Sequence, residues 1–120
     1  MEITIEQKSE FVPEFRNNRN ETEPIKLQLR SLTTGERQRY LNIDPVKIAL
    51  QDASGKFDID IDYEGLFKAA VTKIENLIVN GKKVVTPSEV LVTVGLHDLF
   101  METVMEIVRH NSRKQDDLNL

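Results

Sequence analysis

Asp62-Tyr63-Glu64-Gly65-Leu66-Phe67-Lys68-Ala69-Ala70-Val71-Thr72-Lys73-Ile74-Glu75-Asn76-Leu77-Ile78-Val79-Asn80-Gly81 forms the middle of a 120-residue chain and decides how the rest is read. Leu66, Phe67, Ala70, Ile74, Leu77 and Ile78 recur at three- and four-residue spacing, the pattern of one apolar helix face. Asp62 suits an N-cap and Asn80-Gly81 a stop, so the spacing predicts a helix of about five turns. Downstream, Lys82-Lys83-Val84-Val85 reads as a short extended link. Thr86-Pro87-x-Glu89 then combines an N-cap, a proline in the first turn and a glutamate at N3. A helix over 87–94 is expected to break at Gly95. After the break Leu96, Leu99, Phe100, Val104, Ile107 and Val108 draw the apolar stripe of a last helix.

Upstream, the pattern changes period. Ile3 and Ile5 alternate with Glu2, Thr4 and Glu6, and Ile25, Leu27 and Leu29 alternate with Lys26, Gln28 and Arg30. Both are signatures of half-buried strands. Between them, residues 11–24 hold two prolines and three asparagines and read as a long, mobile connection. Its Phe11, Val12 and Phe15 are unusual for a free loop and suit either folding back on the core or anchoring a partner. Thr33-x-x-Glu36 is a capping box opening a short helix to about Leu41. Asp44-Pro45 starts another, with Val46 and Leu50 inward and an end near Gly55. The expected fold is α+β in a single domain over 1–120. A strand-rich part (2–31) forms an N-terminal hairpin or strand pair, 33–111 is mainly helical, and 112–120 is a flexible tail.

Composition narrows the function classes. Hydrophobic residues make up 39% and charged residues 30%, as in ordinary globular proteins. No apolar run approaches the roughly 18 residues of a membrane span. The first residues lack the basic-then-apolar order of a signal region. With no cysteine there is no disulfide, thiolate nucleophile or thiolate zinc site, and a cytoplasmic setting is expected. The net charge of −4 is spread evenly, −2 in each half. Arg16, Arg19, Arg30, Arg37 and Arg39 are interleaved with glutamates, so the basic stripe of a nucleic-acid binder is missing.

Candidate chemistry is sparse. Asp60, Asp62, Glu64 and Gly65 fall at positions 1, 3, 5 and 6 of an EF-hand-like calcium loop. Position 9 is then Lys68 and position 12 is Val71, where a bidentate glutamate belongs, so Asp62 reads better as a helix cap. His97 and His110 are thirteen residues apart and cannot share a metal from one helix face. Asp98, Glu102 and Glu106 form an acidic row that fits a solvated face, with Glu106 reaching Arg109 and His110. Serine-nucleophile and phosphate-loop motifs are absent, so no catalytic residue, cofactor or metal is expected and the chain does not read as an enzyme. Met101 and Met105 widen the stripe of the last helix, which serves either as core or as a surface for a partner helix.

Lys73-Ile74-Glu75-Asn76-Leu77-Ile78-Val79-Asn80-Gly81-Lys82-Lys83-Val84-Val85-Thr86-Pro87-Ser88-Glu89-Val90-Leu91 resembles a stretch found in small proteins encoded just before the tape measure in long-tailed phages and prophages. Phe11-Val12-Pro13-Glu14-Phe15, Asn17-Asn18-Arg19 and Leu32-Thr33-x-Gly35-Glu36 are similar to that group too, so the likeness covers roughly residues 9–110. The resemblance implies a tail assembly chaperone that binds the tape measure protein, keeps its helical apolar segments soluble and recruits tail tube subunits. A minor structural or tail-completion protein is the alternative. Such a holdase needs spare apolar surface, and the residues that fit are Phe11, Phe15, Leu96, Phe100, Met101, Val104 and Met105. Charge at Phe100 and Met101 is then expected to abolish partner binding while the fold survives. Homo-oligomerisation is compatible with a surface this apolar.

Overall fold

A computed structural model describes residues 1–5, 7–41 and 61–118. In chain order the elements are β1 (Lys8–Phe11), a 3-10 stretch (Phe15–Asn20), β2 (Lys26–Arg30), α1 (Thr34–Tyr40), α2 (Tyr63–Ala70), β3 (Val71–Glu75), β4 (Ile78–Val79), β5 (Lys82–Lys83), α3 (Pro87–Val92) and α4 (His97–Leu118). The fold is α+β, as the periodicities predict. The expected helix at Asp44-Pro45, with Val46, Leu50 and Gly55, lies outside the described residues, as does Asp60 of the calcium-loop reading.

Three antiparallel strands form one sheet in the order β1-β2-β3, with β2 at its centre. Leu27 sits opposite Phe11 on one side and Ile74 on the other, and Leu29 sits opposite Ser9 and Val71. Leu27, Leu29, Val71 and Ile74 are all buried, so these rows form the core face of the sheet. Residues 2–5 therefore do not form the first strand. Ile3 and Ile5 are exposed, and the strand begins at Lys8, where pairing with β2 becomes available.

The long central helix ends after two turns. Asp62 caps α2 as expected, its Oδ1 accepting from the Gly65 amide at 3.0 Å, but at Val71 the chain becomes strand. The helical spacing has a physical source. Gln28 pairs with Lys73 and Leu29 with Val71, leaving Thr72 as an extra residue in β3. This bulge puts Val71 and Ile74 on the same face although they are three apart, so a strand imitates a helix period. The Thr72 hydroxyl donates to the Gln28 carbonyl oxygen at 3.2 Å beside the bulge. Beyond it, Asn80-Gly81 is the two-residue turn of a hairpin, pairing Ile78 with Lys83 and Val79 with Lys82. Both turn residues have positive φ, 51° and 78°, as a type I′ turn requires. Lys82-Lys83 is therefore a strand of that hairpin.

The helix starts obey their local signals. Thr33 and Glu36 complete a reciprocal capping box on α1. Thr86 Oγ1 accepts from the Glu89 amide at the start of α3, with Pro87 in the first turn. Gly95, at φ 94°, breaks the chain before α4. The backbone of α4 stays helical to Leu118, beyond the expected boundary at 111.

One core joins these pieces. Leu66, Phe67 and Ala70 of α2 meet Leu99, Val104 and Ile107 of α4, the two sheet rows, and Leu77, Val84 and Val90. Each fully buried Leu, Ile, Val or Phe side chain contributes about 1.5–3 kcal/mol, so the α2–α4 contact supplies much of what holds these two helices together. Gly65 permits the close approach of α1 to α2: a Cβ there would lie 2.5 Å from Asp62 Oδ2 and 2.6 Å from the Tyr40 ring. Buried Asn111 ties α4 to the β2–α1 connection, donating to the Ile107 carbonyl at 2.8 Å and accepting from the Leu32 amide at 3.4 Å.

Candidate protein-binding surface

The segment 11–24, expected as a mobile connection, carries its own hydrogen-bond framework. Asn18 is buried, with 3% of its surface exposed. Its Nδ2 donates to the carbonyl oxygens of Pro13 at 3.0 Å and Ile25 at 3.1 Å, while its Oδ1 accepts from the Ile25 amide at 2.7 Å. Arg16 and Asn17 adopt left-handed backbone, at φ 49° and 62°, a conformation that asparagine takes readily but that is uncommon for arginine. Glu102 belongs to that restraint. Its carboxylate accepts from the amides of Glu14 at 2.6 Å and Phe15 at 3.1 Å, placing negative charge where the 3-10 stretch begins. In the acidic row of α4, then, Glu102 clamps another element, whereas Glu106 pairs with Arg109 as expected.

The seven residues put forward as partner contacts are mostly spent on the core. Leu96 and Val104 are buried, and Phe11 and Phe15 pack against the core, as the fold-back alternative had it. Phe100 is half-buried, its ring edge-to-face with Phe67 at 5.1 Å between centroids, so a charge at Phe100 acts directly on the core. Met101 is half-buried, and Met105 is exposed at 61%. These seven do not form one free apolar face.

A different set does cluster. An open groove of about 530 Å³ runs between the 3-10 stretch, the β4–β5 hairpin and the turn joining α3 to α4. Ile78 (60% exposed) and Val94 (95% exposed) stand at it, with half-buried Val79 beside them, and the walls include Glu21, Glu23 and Arg16. Phe15, Ile25, Leu77 and Leu96 line it as well. Sequence reading missed Ile78 and Val94 because it placed both inside helices. The available signals were the Asn-Gly hairpin turn after Ile78-Val79 and the β-branched run Val92-Thr93-Val94 ahead of Gly95.

Away from the groove, the Glu36 carboxyl is lowered to about 2. Hydrogen bonds from the Arg30 guanidinium are the main cause, one of them 2.8 Å long, opposed by partial desolvation and helped by the Thr33 amide. Among the described residues no group of three or more His, Asp or Glu side chains is placed to hold a metal ion, and no helix is long and apolar enough to cross a membrane. Comparison with protein-family models, curated proteins and solved structures finds no match to this chain.

Proposed function

We propose that this chain is a tail assembly chaperone of a long-tailed phage or prophage, which binds the tape measure protein in the host cytoplasm and assists tail tube assembly. It acts by binding and not by catalysis. The observation that carries the reading is the placement of the Lys73–Leu91 run, whose sequence resembles that family. The run spans β3, the β4–β5 hairpin and most of α3, and it sets Ile78 and Val79 at the open groove. Exposed apolar side chains beside a ready cavity are what a holdase for helical apolar segments requires.

Co-expression with a fragment of the tape-measure-like protein encoded beside this chain tests the reading. The expected result is that the otherwise insoluble fragment becomes soluble and co-purifies with the chain, and that purified particles lack the chain. A fragment that stays insoluble, together with the chain present in purified particles, overturns the chaperone reading in favour of a minor structural or tail-completion protein.

A further inference from the structure

We propose that the groove between the 3-10 stretch, the β4–β5 hairpin and the α3–α4 turn docks a partner-protein segment in which apolar side chains are flanked by lysine or arginine. The lining is mixed: Ile78, Val79 and Val94 present apolar surface to the open side, set among polar Asn76, Asn80, Glu21 and Glu23. Such side chains lose unfavourable hydration only when something covers them. At about 530 Å³ the space falls within the roughly 300–1,000 Å³ typical of ligand pockets, enough for a few side chains of a docked segment.

Charge selects the occupant. The carboxylates of Glu21 and Glu23 stand on one wall, both residues exposed, and no described residue pairs with either. Among the described residues lining the groove the one cation is Arg16, its guanidinium carbon 5.4 Å from the centre of the Phe15 ring. Two unpaired carboxylates against one guanidinium favour a basic flank on the partner and disfavour an acidic one. The wall carrying them is held in place by Asn18 and by the Glu102 clamp, so the site is pre-organised. This rests on the chaperone reading for the kind of partner, and adds where on the chain it docks and what its sequence must contain.

The probes are two helical peptides, one of leucine and lysine and one with glutamate replacing every lysine, each carrying a single tryptophan. The chain has no tryptophan, so tryptophan emission, excited at a wavelength that its two tyrosines do not absorb, reports the peptide alone. The leucine–lysine peptide is expected to bind at least tenfold more tightly than its glutamate counterpart. Val94→Asp and Ile78→Asp should each weaken it on the order of tenfold or more, as loss of a central apolar contact does. Glu23→Lys should weaken it more than Glu2→Lys, which changes net charge equally at an exposed residue away from the groove. Met105→Asp should bind as the parent does. Circular dichroism and thermal unfolding check that each variant is folded, which is expected because Ile78 and Val94 lie outside the core.

Equal binding of the two peptides, or parent-like binding by folded Val94→Asp and Ile78→Asp, overturns the proposal. So does a chain that ignores both peptides yet self-associates until Val94→Asp makes it monomeric, because the occupant is then a second copy. The two readings fail separately. Tape-measure fragment captured equally by parent and groove variants refutes the groove alone, whereas peptide binding at the groove with no fragment captured refutes the chaperone reading alone.

Discussion

Replacing Asn18 with alanine should cost about 3 kcal/mol, and the reason is countable. Asn18 is buried and makes three hydrogen bonds, two as donor to Pro13 and Ile25 and one as acceptor from Ile25. A net intramolecular hydrogen bond contributes about 0.5–1.5 kcal/mol, and leaving a buried partner orphaned costs about 1–3 kcal/mol. Three at about 1 kcal/mol each make the estimate, which for a domain of this size lowers the melting temperature by about 10 °C. Urea unfolding followed by far-ultraviolet circular dichroism measures the first quantity and a thermal scan the second. Asn18→Asp, nearly the same shape, sharpens the case. One oxygen keeps the Ile25 amide, but the other now faces two carbonyl oxygens with no proton to give. At neutral pH this variant should be at least as unstable as Asn18→Ala, and the gap between the two should narrow on acidification as protonation restores a donor. Because Asn18 holds a wall of the groove, both variants should also weaken the leucine–lysine peptide. A loss below about 0.5 kcal/mol for Asn18→Ala, equal to that of an ordinary surface substitution, would refute the idea that this side chain organises the segment.

Two further predictions concern the helices. Gly65→Ala should destabilise the fold by about 1–3 kcal/mol in urea unfolding, because its Cβ meets both the Asp62 cap and the Tyr40 ring; an unchanged or raised stability would mean that α1 and α2 separate freely. Glu36→Gln removes the ion pair with Arg30 and should cost about 1 kcal/mol at pH 7. The Glu36 carboxyl is lowered from 4.5 to about 2, so its contribution is complete above pH 4.5 and fades as pH falls through 2. Stability curves of parent and variant should therefore converge near pH 2, and a gap that persists there would assign the effect to packing.

The deviations between sequence reading and structure share one character. Three helix caps were legible because they are local: Thr33 with Glu36, Asp62 with Gly65, and Thr86 with Glu89 are three residues apart, and the hydrogen bonds follow from the residue types. The alternation in β2 and the stripe of α4 were legible because one face of each meets the core throughout. The surplus apolar surface was not legible. Phe11, Phe15, Leu96, Phe100 and Val104 are as apolar as Ile78 and Val94, and only packing tells which set is covered. Likewise the row Asp98, Glu102, Glu106 is uniform as sequence, yet Glu102 finds two amides 87 and 88 residues away.

The α+β class, the caps of α1, α2 and α3, the stop at Gly95 and the apolar stripe of α4 were written in the sequence itself, because their signals lie within one or two turns of one another. Tertiary structure decided what became of Val71–Val79. The apolar spacing there satisfies a helix, and helix is the shorter-range solution, but β2 offers an unpaired edge and Thr72 bulges outward to keep both Val71 and Ile74 in the core. A bulge makes one strand keep a helix's period, so periodicity alone cannot separate the two, whereas a neighbouring strand with backbone groups to pair can.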